Sequence, residues 1–485
     1  MTVNQAAHRL KRGVEFMVDI VTSINSTING FVWGVPMMIL IVGTGVYLTV
    51  FTGFLQFRKF GYTMKNTIGK CFQKVEAKAG AVTPVQALTT ALAATVGTGN
   101  IAGVCGAIAL GGPGAVFWMW VSALFGMCTK FSEVTLAIKY RERNKHGDWV
   151  GGPMYYIKNG LGPKWKWLGC VFAVFGMLAA FGIGNMTQVN TIATTIGTAI
   201  TEFVPLSDSS LKTVYLVIGV LVMLLVGCVL LGGLKRIGSV TEKLVPVMAL
   251  IYIVGSLVVI FAHAGNIGPT FKNIFVGAFN PEAVMGGVLG TSIAQAVKSG
   301  VGRGLFSNEA GLGSAPIAHA AAETDDPVKQ GLFGIFEVFA DTIVICSLTG
   351  LTVLCSGIAI PYGESGVGAD LSISAFTTVF GGKAAGVVIA IGLTLFALST
   401  VLSWGLYGTR CCEFLFGHKV IKPYQIIFCL FMVVGATMKL DLAWSIADTL
   451  NGLMAIPNLI GLLALSPVVF KLTRDYFRKQ STLAK

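Results

Sequence analysis

Charged residues are scarce in this chain. Of its 485 residues only 12% are Asp, Glu, Lys or Arg, whereas 54% are hydrophobic. A soluble globular protein carries about 25% charged residues, so this composition excludes that class for most of the chain. Apolar runs of about 20 residues can cross a bilayer, and Phe31 to Phe51 and Leu211 to Gly232 are two such runs. The composition therefore predicts a membrane protein.

Residues that typically form metal and nucleophilic sites are few and scattered. The five histidines fall at predicted loops or span ends, and no HExxH motif is present. The ten cysteines include no CxxC pair or Cys/His cluster with zinc spacing, and Cys411 and Cys412 are interpreted as free thiols. The first 16 residues are polar and basic without an apolar core, so we expect no cleavable signal peptide. We therefore expect neither an enzyme nor an organic cofactor.

Apolar runs between polar loops predict eleven membrane spans. They lie near residues 31–53, 85–110, 114–138, 167–200, 212–232, 243–263, 283–313, 331–358, 384–410, 424–438 and 444–470. Without the first span, ten remain, and five plus five spans form an inverted repeat because an odd number reverses the second half. We thus expect an all-α polytopic fold with one added N-terminal helix. Its units are residues 1–84 (added helix and basic loop), 85–263 and 283–470 (the two five-helix repeats), and 471–485 (a basic tail).

The net charge of +13 would also suit a nucleic-acid-binding protein, but its distribution argues for a membrane. Twenty-five Lys and Arg residues fall in alternate loops and the C-terminal tail, against four lysines in the opposite loops. Such residues collect on the cytoplasmic side, so we expect a cytoplasmic C-terminus and a multi-pass protein of a prokaryotic plasma membrane, with no nucleic acid partner. Eleven spans would put the N-terminus outside, although Arg9, Lys11 and Arg12 favour the opposite.

Glycine-rich stretches occur in the first predicted helix of each half. Residues 94–103 read ATVGTGNIAG, and residues 298–304 read KSGVGRG. Glycine tolerates non-helical backbone, and within lipid unwound backbone is tolerated only where it lines a cavity or is buried in protein. Glycines can instead allow close helix packing, as in GxxxG. Because the two stretches fall at corresponding places, we predict two broken helices whose free peptide groups bind a carboxylate and a cation.

Four motifs carry a family resemblance that extends across nearly the whole chain. They are RGLFSNEAGLGSAPIAHA at 303–320, GTGNIAG at 97–103, GGPMYY at 151–156 and STVLSW at 399–404. They resemble the alanine or glycine:cation symporter family. This resemblance implies a leucine-transporter-type fold, Na⁺ as coupling ion, and alanine or glycine as substrate. Glutamine is an alternative substrate, and the number of sodium ions stays open.

The resemblance also implies residue roles. The N–H groups of Thr98 and Gly99 would bind the substrate carboxylate. The sodium ligands would be the carbonyls of Ala93, Val96 and Phe396 and the hydroxyls of Ser399 and Thr400. For Ser399 and Thr400 alone, back-bonding to the helix is the competing interpretation.

Other polar residues in the spans are further candidates. Asn100 would either serve an ion or cap the second half-helix. Asn185 and Gln188 share a helix face and would bind substrate or link helices. Trp404, one turn after Thr400, would limit substrate size or simply pack. In the second broken helix, Gln295 and Ser299 are candidate substrate contacts.

Charged residues within spans are functional hypotheses by default. Arg303 and Glu309 are interpreted as part of a gate on the cytoplasmic side. Lys130 and Glu133 are expected to form a local ion pair. Glu337 and Asp341 lie four residues apart, so two like charges would share one face, and the sequence offers no account of them.

Two other transport mechanisms compete with this interpretation. A channel would need a continuous polar pore or several subunits, whereas the polar groups here gather near two breaks in one chain. A proton-coupled transporter would carry a titratable carboxylate beside the site, and Asp341 or Glu337 would qualify. The sequence gives no sign of the oligomeric state.

Overall fold

Helices make up most of residues 19–71, 77–285, 292–438 and 441–483, which the computed structural model describes. The helices of the first half are α1 (Val35–Phe51), α2 (Leu55–Arg58), α3 (Phe60–Cys71), α4 (Pro84–Thr95), α5 (Ala102–Gly111), α6 (Gly114–Lys139), α7 (Pro153–Gly160), α8 (Lys166–Phe181), α9 (Thr187–Thr201), α10 (Asp208–Leu230) and α11 (Gly233–Ala262). The second half contains α12 (Ile267–Phe279), α13 (Glu282–Met285), α14 (Ile293–Asn308), α15 (Ala315–His319), α16 (Pro327–Val338), α17 (Ser347–Cys355), α18 (Asp370–Phe380), α19 (Gly382–Phe416), α20 (Ile421–Thr437), α21 (Asp441–Leu453) and α22 (Ala455–Leu483).

Shorter elements connect these helices. Strands β1 (Glu142–Arg143) and β2 (Trp149–Val150) pair antiparallel, and we call residues 141–150 the hairpin. Two π-helical turns, Gly182–Met186 and Phe339–Cys346, join α8 to α9 and α16 to α17. A further helix covers residues 19–32 before α1. Four 3₁₀ turns lie at Thr98–Asn100, Pro163–Trp165, Ala264–Asn266 and His418–Val420.

The all-α membrane architecture is confirmed. Within the described ranges, nine helices are long and apolar enough to cross a membrane, and the bent pair Pro84–Thr95 and Thr98–Gly111 makes a tenth. The remaining predicted span, 283–313, includes residues 286–291, which lie outside the described part. The total of eleven, the repeat units and their boundaries therefore stay predictions. Arg9, Lys11, Arg12, Lys74, Lys439 and Lys485, which entered the charge argument, also lie outside the described residues.

Helix α6 forms the centre of the helix bundle. In its most apolar stretch 83% of residues are buried, against 22% in α10, whose apolar side chains are left for lipid. It packs against α14 and α16. It also contacts α12 closely, because a Cβ on Gly114 would lie 2.2 Å from the carbonyl oxygen of Gly277. Small residues at such crossings allow backbone contact, which drives helix association in lipid.

The first predicted helix break is confirmed. Thr83 begins α4 with a capping box to Gln86 and Pro84 at the first helical position. The helix ends at Thr95, Gly97 is extended, and a 3₁₀ turn leads into α5. The two halves meet at an angle of 57°. The sequence therefore forms two short half-helices in place of one straight span.

The second break lies further along the chain than predicted. Helix α14 runs without interruption through residues 298–304, so a break at those glycines was wrong. Their role is packing, since a Cβ on Gly300 would lie 2.3 Å from the carbonyl oxygen of Ala115. The helix ends instead at Asn308, and the capping residue Glu309 has a left-handed φ of 54°. Non-helical backbone then continues to α15.

Buried ionic residues connect α6 to the second half of the chain. Lys130 pairs with Glu337 at 3.3 Å, both fully buried, and not with Glu133 as expected. Glu133 instead accepts hydrogen bonds from the Gly311 amide at 3.1 Å and from Asn458 at 2.6 Å. Glu133 therefore does not pair with Lys130, because it holds the unwound segment after α14 through these bonds.

Candidate functional site

A small cavity lies between the two helix breaks. Its volume is about 30 Å³, counted as space for the centres of water molecules. The first break supplies residues 94–99 except Val96, and the second supplies Phe306, Ser307 and Glu309. Gln188, Thr400 and Trp404 close the opposite side. We call this space the central cavity. It separates the broken helices from α9 and α19.

Free peptide groups line the first break. Within the described residues, the amides of Thr98 and Gly99 donate no hydrogen bond, and the carbonyls of residues 94–96 accept none. Thr98 and Gly99 both line the central cavity. Their amides lie at the start of a half-helix, where the helix dipole favours a negative group. This geometry suits a carboxylate at the amides and a cation at the carbonyls.

Four of the five predicted sodium ligands lie together beside the cavity. The Thr400 hydroxyl is 3.1 Å from the Ala93 carbonyl oxygen and 3.0 Å from that of Phe396. The Ser399 hydroxyl is 3.3 Å from the Ala93 carbonyl and 2.8 Å from that of Phe396. Four buried neutral oxygens are a suitable donor set for a monovalent hard cation. The fifth predicted ligand, the Val96 carbonyl, lies three residues after Ala93 at the end of α4. It has no hydrogen-bond partner among the described residues.

Gly97 permits this arrangement. A Cβ at this position would lie 2.7 Å from Oγ1 of Thr400. Real Cβ atoms do not approach so closely, so any side chain there would displace the threonine hydroxyl. Close contact between the first break and α19 therefore leaves no room for a side chain at residue 97.

Gln188 and Trp404 also face the central cavity. Gln188 accepts a hydrogen bond of 3.3 Å from the Thr98 hydroxyl and donates one of 3.0 Å to the Ile183 carbonyl. The Trp404 side chain, 1% exposed, packs on Gly184 in the first π-helical turn. A Cβ on Gly184 would lie 2.2 Å from that of Trp404. The indole is thus held firmly as a wall of the cavity.

Four of the eight predicted substrate residues do not line this cavity, and two of these, Asn100 and Asn185, have partners within the helix bundle. Asn100 accepts a 2.8 Å hydrogen bond from the Gly97 amide and donates one of 2.6 Å to Asp341, so it caps the break. Asn185 donates to the Phe428 carbonyl at 2.5 Å and links the first π-helical turn to α20. The structural alternative accounts for the whole amide of Asn100, whereas Oδ1 of Asn185 is buried without a hydrogen-bond partner among the described residues.

Gln295 and Ser299 line a second, larger cavity of about 260 Å³, which we call the vestibule. Asn29, Lys298, Arg303 and Asp448 also line it. These residues belong to the span ends remote from the basic loops. Arg303 lies before the second break and lines the vestibule, which is remote from the basic loops. The expectation that it lies toward the basic loops was therefore wrong. The expectation failed because the second break lies after Arg303 in the chain and not before it.

Phe306 separates the two cavities and was missed from the sequence. It lines both, its ring centroid is 6.1 Å from that of Trp33, and the Arg303 guanidinium lies 5.7 Å from it. A lone aromatic residue in an apolar span gives little sequence signal. Only the position of the break reveals that Phe306 lies one turn before it.

The hairpin closes the opposite, basic face. Arg141 donates to the carbonyls of Ala320, Ala322 and Thr324 at 3.0, 2.6 and 3.1 Å, which fixes the segment after α15. Burial lowers the pKa of Arg141 to about 10, so it stays charged at neutral pH. Its guanidinium also lies 4.1 Å from the Trp149 ring.

The hairpin also contacts the end of α19. Asn144 donates to Glu413 at 2.9 Å, and Arg410 lies 3.4 Å from Asp148. Because the hairpin holds the broken-helix side through Arg141, these contacts tie the two walls of the central cavity together on this face.

A cavity between discontinuous helices is typical of secondary transporters. A solved structure of MhsT in complex with L-phenylalanine has the same fold, with a TM-score of 0.55 at 13% identity, covering 82% of this chain and 99% of that one. The sodium:alanine symporter family profile matches residues 18–485, and the chain belongs to that family.

Named relatives support the same class. The sodium/alanine symporter AgcS of Methanococcus maripaludis is 46% identical over 96% of this chain and 100% of its own length. The probable sodium/glutamine symporter GlnT of Bacillus subtilis is 36% identical over 96% of this chain and 92% of its own length. The chain is thus a multi-pass membrane protein of a cation-coupled amino-acid symporter family.

Proposed function

We propose that this protein is a sodium-coupled symporter that imports a small neutral amino acid, alanine or glycine, by alternating access. The observation that carries the proposal is the set of peptide groups at the first break without a hydrogen-bond partner among the described residues, of which those of Thr98 and Gly99 line a small cavity. Unsatisfied backbone groups inside a membrane cost several kcal/mol each, so these groups need a ligand. An amino acid and a cation supply both signs of charge.

Sodium is assigned to the oxygens of Ala93, Phe396, Ser399 and Thr400, with Val96 as the fifth ligand. These neutral oxygens can hold a monovalent ion while the protein supplies no counter-charge. The proposed ion site lies next to the first break, because Gly97 packs against the hydroxyl of Thr400. Sodium binding would hold the half-helix and α19 together, and the same half-helix presents the amides of Thr98 and Gly99 to the substrate. Ion and substrate are thereby coupled through one segment.

The substrate class follows from the size of the central cavity. A site for one water molecule needs about 10–15 Å³ on the same scale, so a cavity of about 30 Å³ holds two or three waters and favours the smallest amino acids. Trp404 and Ile183 close the cavity, and Gln188 offers a polar contact beside Thr98. This favours alanine or glycine over glutamine, which the name of GlnT keeps as the second candidate.

Access would alternate between the vestibule and the basic face. Phe306, Arg303 and Asp448 form the barrier toward the vestibule, which we assign to the outside because lysines and arginines collect on the other face. The hairpin forms the barrier on the cytoplasmic face, which also carries the C-terminus. Transport then requires each barrier to open while the other is closed.

Uptake of labelled alanine into proteoliposomes tests the proposal. An inward sodium gradient should drive concentrative uptake, and collapsing it should abolish accumulation while a proton gradient has no effect. Accumulation driven by protons alone would contradict sodium coupling, and equilibration without accumulation would indicate a channel.

The ion site is tested by Thr400→Ala. Half-saturating sodium should rise about tenfold, equivalent to about 1.4 kcal/mol, with expression unchanged. Thr409→Ala is a matched control, because Thr409 is buried on the same helix and, among the described residues, its hydroxyl bonds only to the Gly405 carbonyl. Equal sodium affinity in both variants would contradict the assignment.

A further inference from the structure

Glu309 brings an unusual carboxylate to the central cavity. It is 5% exposed, lines the cavity and ends α14. The Ser314 hydroxyl donates to Oε2, whereas Oε1 accepts no hydrogen bond from the described residues. No Lys, Arg or His side chain in the described part of the chain lies within ion-pairing distance of it. A nearly buried negative charge therefore lacks a cation.

The surroundings of Glu309 increase the demand for positive charge. It follows the last turn of α14, where the helix dipole is negative and favours cations. The carbonyls of Phe306 and Ser307 also accept no hydrogen bond among the described residues. Burying a charge without a partner is costly. A left-handed φ of 54° in a residue other than glycine adds strain, which proteins retain at functional sites.

The nearest buried cation already has another partner. Lys130 pairs with Glu337 at 3.3 Å, and His319 lies 3.1 Å from the other oxygen of Glu337. Asp341 is likewise occupied, by Asn100, Ser307 and Thr342. The protein therefore gives Glu337 and Asp341 side-chain partners of its own. Oε2 of Glu133 also lacks a hydrogen bond among the described residues, but of the two acids Glu309 alone lines the central cavity.

We propose that Glu309 binds the α-ammonium group of the substrate. This rests on the proposed function and names the residue that selects for an amino group. The substrate carboxylate lies at the free amides of Thr98 and Gly99, at the positive end of one half-helix. The ammonium lies at Glu309 and the carbonyls of Phe306 and Ser307, at the negative end of the other. Both charges of the zwitterion are thereby matched across one small cavity.

The test compares Glu309→Gln with wild type for two ligands. Alanine carries the ammonium, and L-lactate has a hydroxyl in its place. In purified protein at saturating sodium, the glutamine variant should bind alanine about 30-fold more weakly. Its affinity for lactate, measured by competition, should change less than about threefold. Equal loss for both ligands, or no loss for alanine, overturns the proposal. The second result is expected if a proton neutralises Glu309.

Controls separate this role from a structural one. Ser314→Ala removes the hydrogen bond to Oε2 and keeps the charge, so alanine affinity should stay within about threefold of wild type. If the glutamine variant does not fold, Glu309→Asp replaces it, since the shorter carboxylate should weaken alanine binding about tenfold. Unchanged affinity in that variant also overturns the proposal. Wild-type protein that binds no alanine with sodium present would instead refute the proposed function itself.

Discussion

The side-chain amide of Asn100 donates a hydrogen bond of 2.6 Å to Oδ1 of Asp341, across 241 residues of chain. It joins the first helix break to the second π-helical turn. The other oxygen of Asp341 accepts from the hydroxyls of Ser307 and Thr342 at 2.9 and 2.8 Å. Both breaks therefore meet at one buried carboxylate.

This arrangement explains the two acids that share a helix face in the sequence. Glu337 has Lys130 and His319, whereas Asp341 has hydroxyl and amide donors. The π-helical turn that begins at Phe339 follows Glu337 and contains Asp341, so it changes the register between the two residues. They belong to separate polar groups, so no shared cation is required between them.

Replacing Asn100 with alanine should destabilise the protein by about 2–4 kcal/mol. The change removes the cap of the Gly97 amide and one donor of Asp341, and each buried group left unsatisfied costs about 1–3 kcal/mol. Thermal unfolding in detergent measures the effect. Asn190→Ala is the control, because this partly exposed amide donates to the carbonyls of Gly435 and Met438. A loss of stability no larger than in the control would contradict the bridging role.

Replacing Gly97 with alanine should weaken sodium binding at least about tenfold. The new Cβ would lie 2.7 Å from Oγ1 of Thr400, so the hydroxyl must leave its position between the Ala93 and Phe396 carbonyls. The sodium dependence of alanine uptake measures the change. Gly392→Ala on α19 has open space around its Cβ and should behave as wild type. The ion site would be misassigned if Gly97→Ala kept normal sodium affinity.

Local sequence signals predicted part of this structure well. The first break follows from Gly97 and Gly99 within an apolar run, and the class of fold follows from spans and motifs. The second break was misplaced because glycines at 300 and 304 serve packing against α6, which a sequence cannot distinguish from unwinding. Glu309 breaks the helix although glutamate usually favours one; its left-handed backbone depends on tertiary contacts.

The residues of the candidate site could be predicted from the sequence only where they belong to one short motif. The oxygens of Ser399 and Thr400 lie in one turn of α19, so their proximity is local. The polar residues Asn100 and Asn185 looked equally suited to a ligand, but their partners, Asp341 and Phe428, are remote in sequence. Which amide faces the cavity depends on packing between distant helices, and no single segment encodes it.

Replacing Trp404 with leucine should relax selection by substrate size. The indole walls the central cavity and is backed by Gly184. The smaller side chain enlarges the cavity, so alanine should bind several-fold more weakly while glutamine competes better relative to alanine, since contacts of one methylene are worth about 1–3 kcal/mol. Competition against labelled alanine uptake gives both values. Trp120→Leu, remote from the cavity and bonded to Ser347, should leave the ratio unchanged. An unchanged ratio in Trp404→Leu as well would mean that the indole only packs.

Replacing Asn144 with alanine should favour opening toward the basic face. The hairpin holds the broken helices through Arg141 and reaches α19 through the 2.9 Å bond from Asn144 to Glu413. The central cavity lies between those two groups of helices, so they must separate on this face for substrate to leave. Removing the bond lowers the cost of that separation by about 1.5–3 kcal/mol, the range for a hydrogen bond to a charged group.

Cys412 reports this opening directly. It is 5% exposed, next to the Arg410 and Glu413 contacts on α19, and its modification by a maleimide can be followed by peptide mass spectrometry. Labelling in Asn144→Ala should be several-fold faster than in wild type. Glu142→Gln is the matched control, because it breaks the 2.8 Å pair with Lys158, which joins the hairpin to α7 without reaching α19. Equal labelling rates in the two variants would mean that the contact between the hairpin and α19 does not oppose opening. The barrier on this face would then have to lie among the side chains between the hairpin and the central cavity.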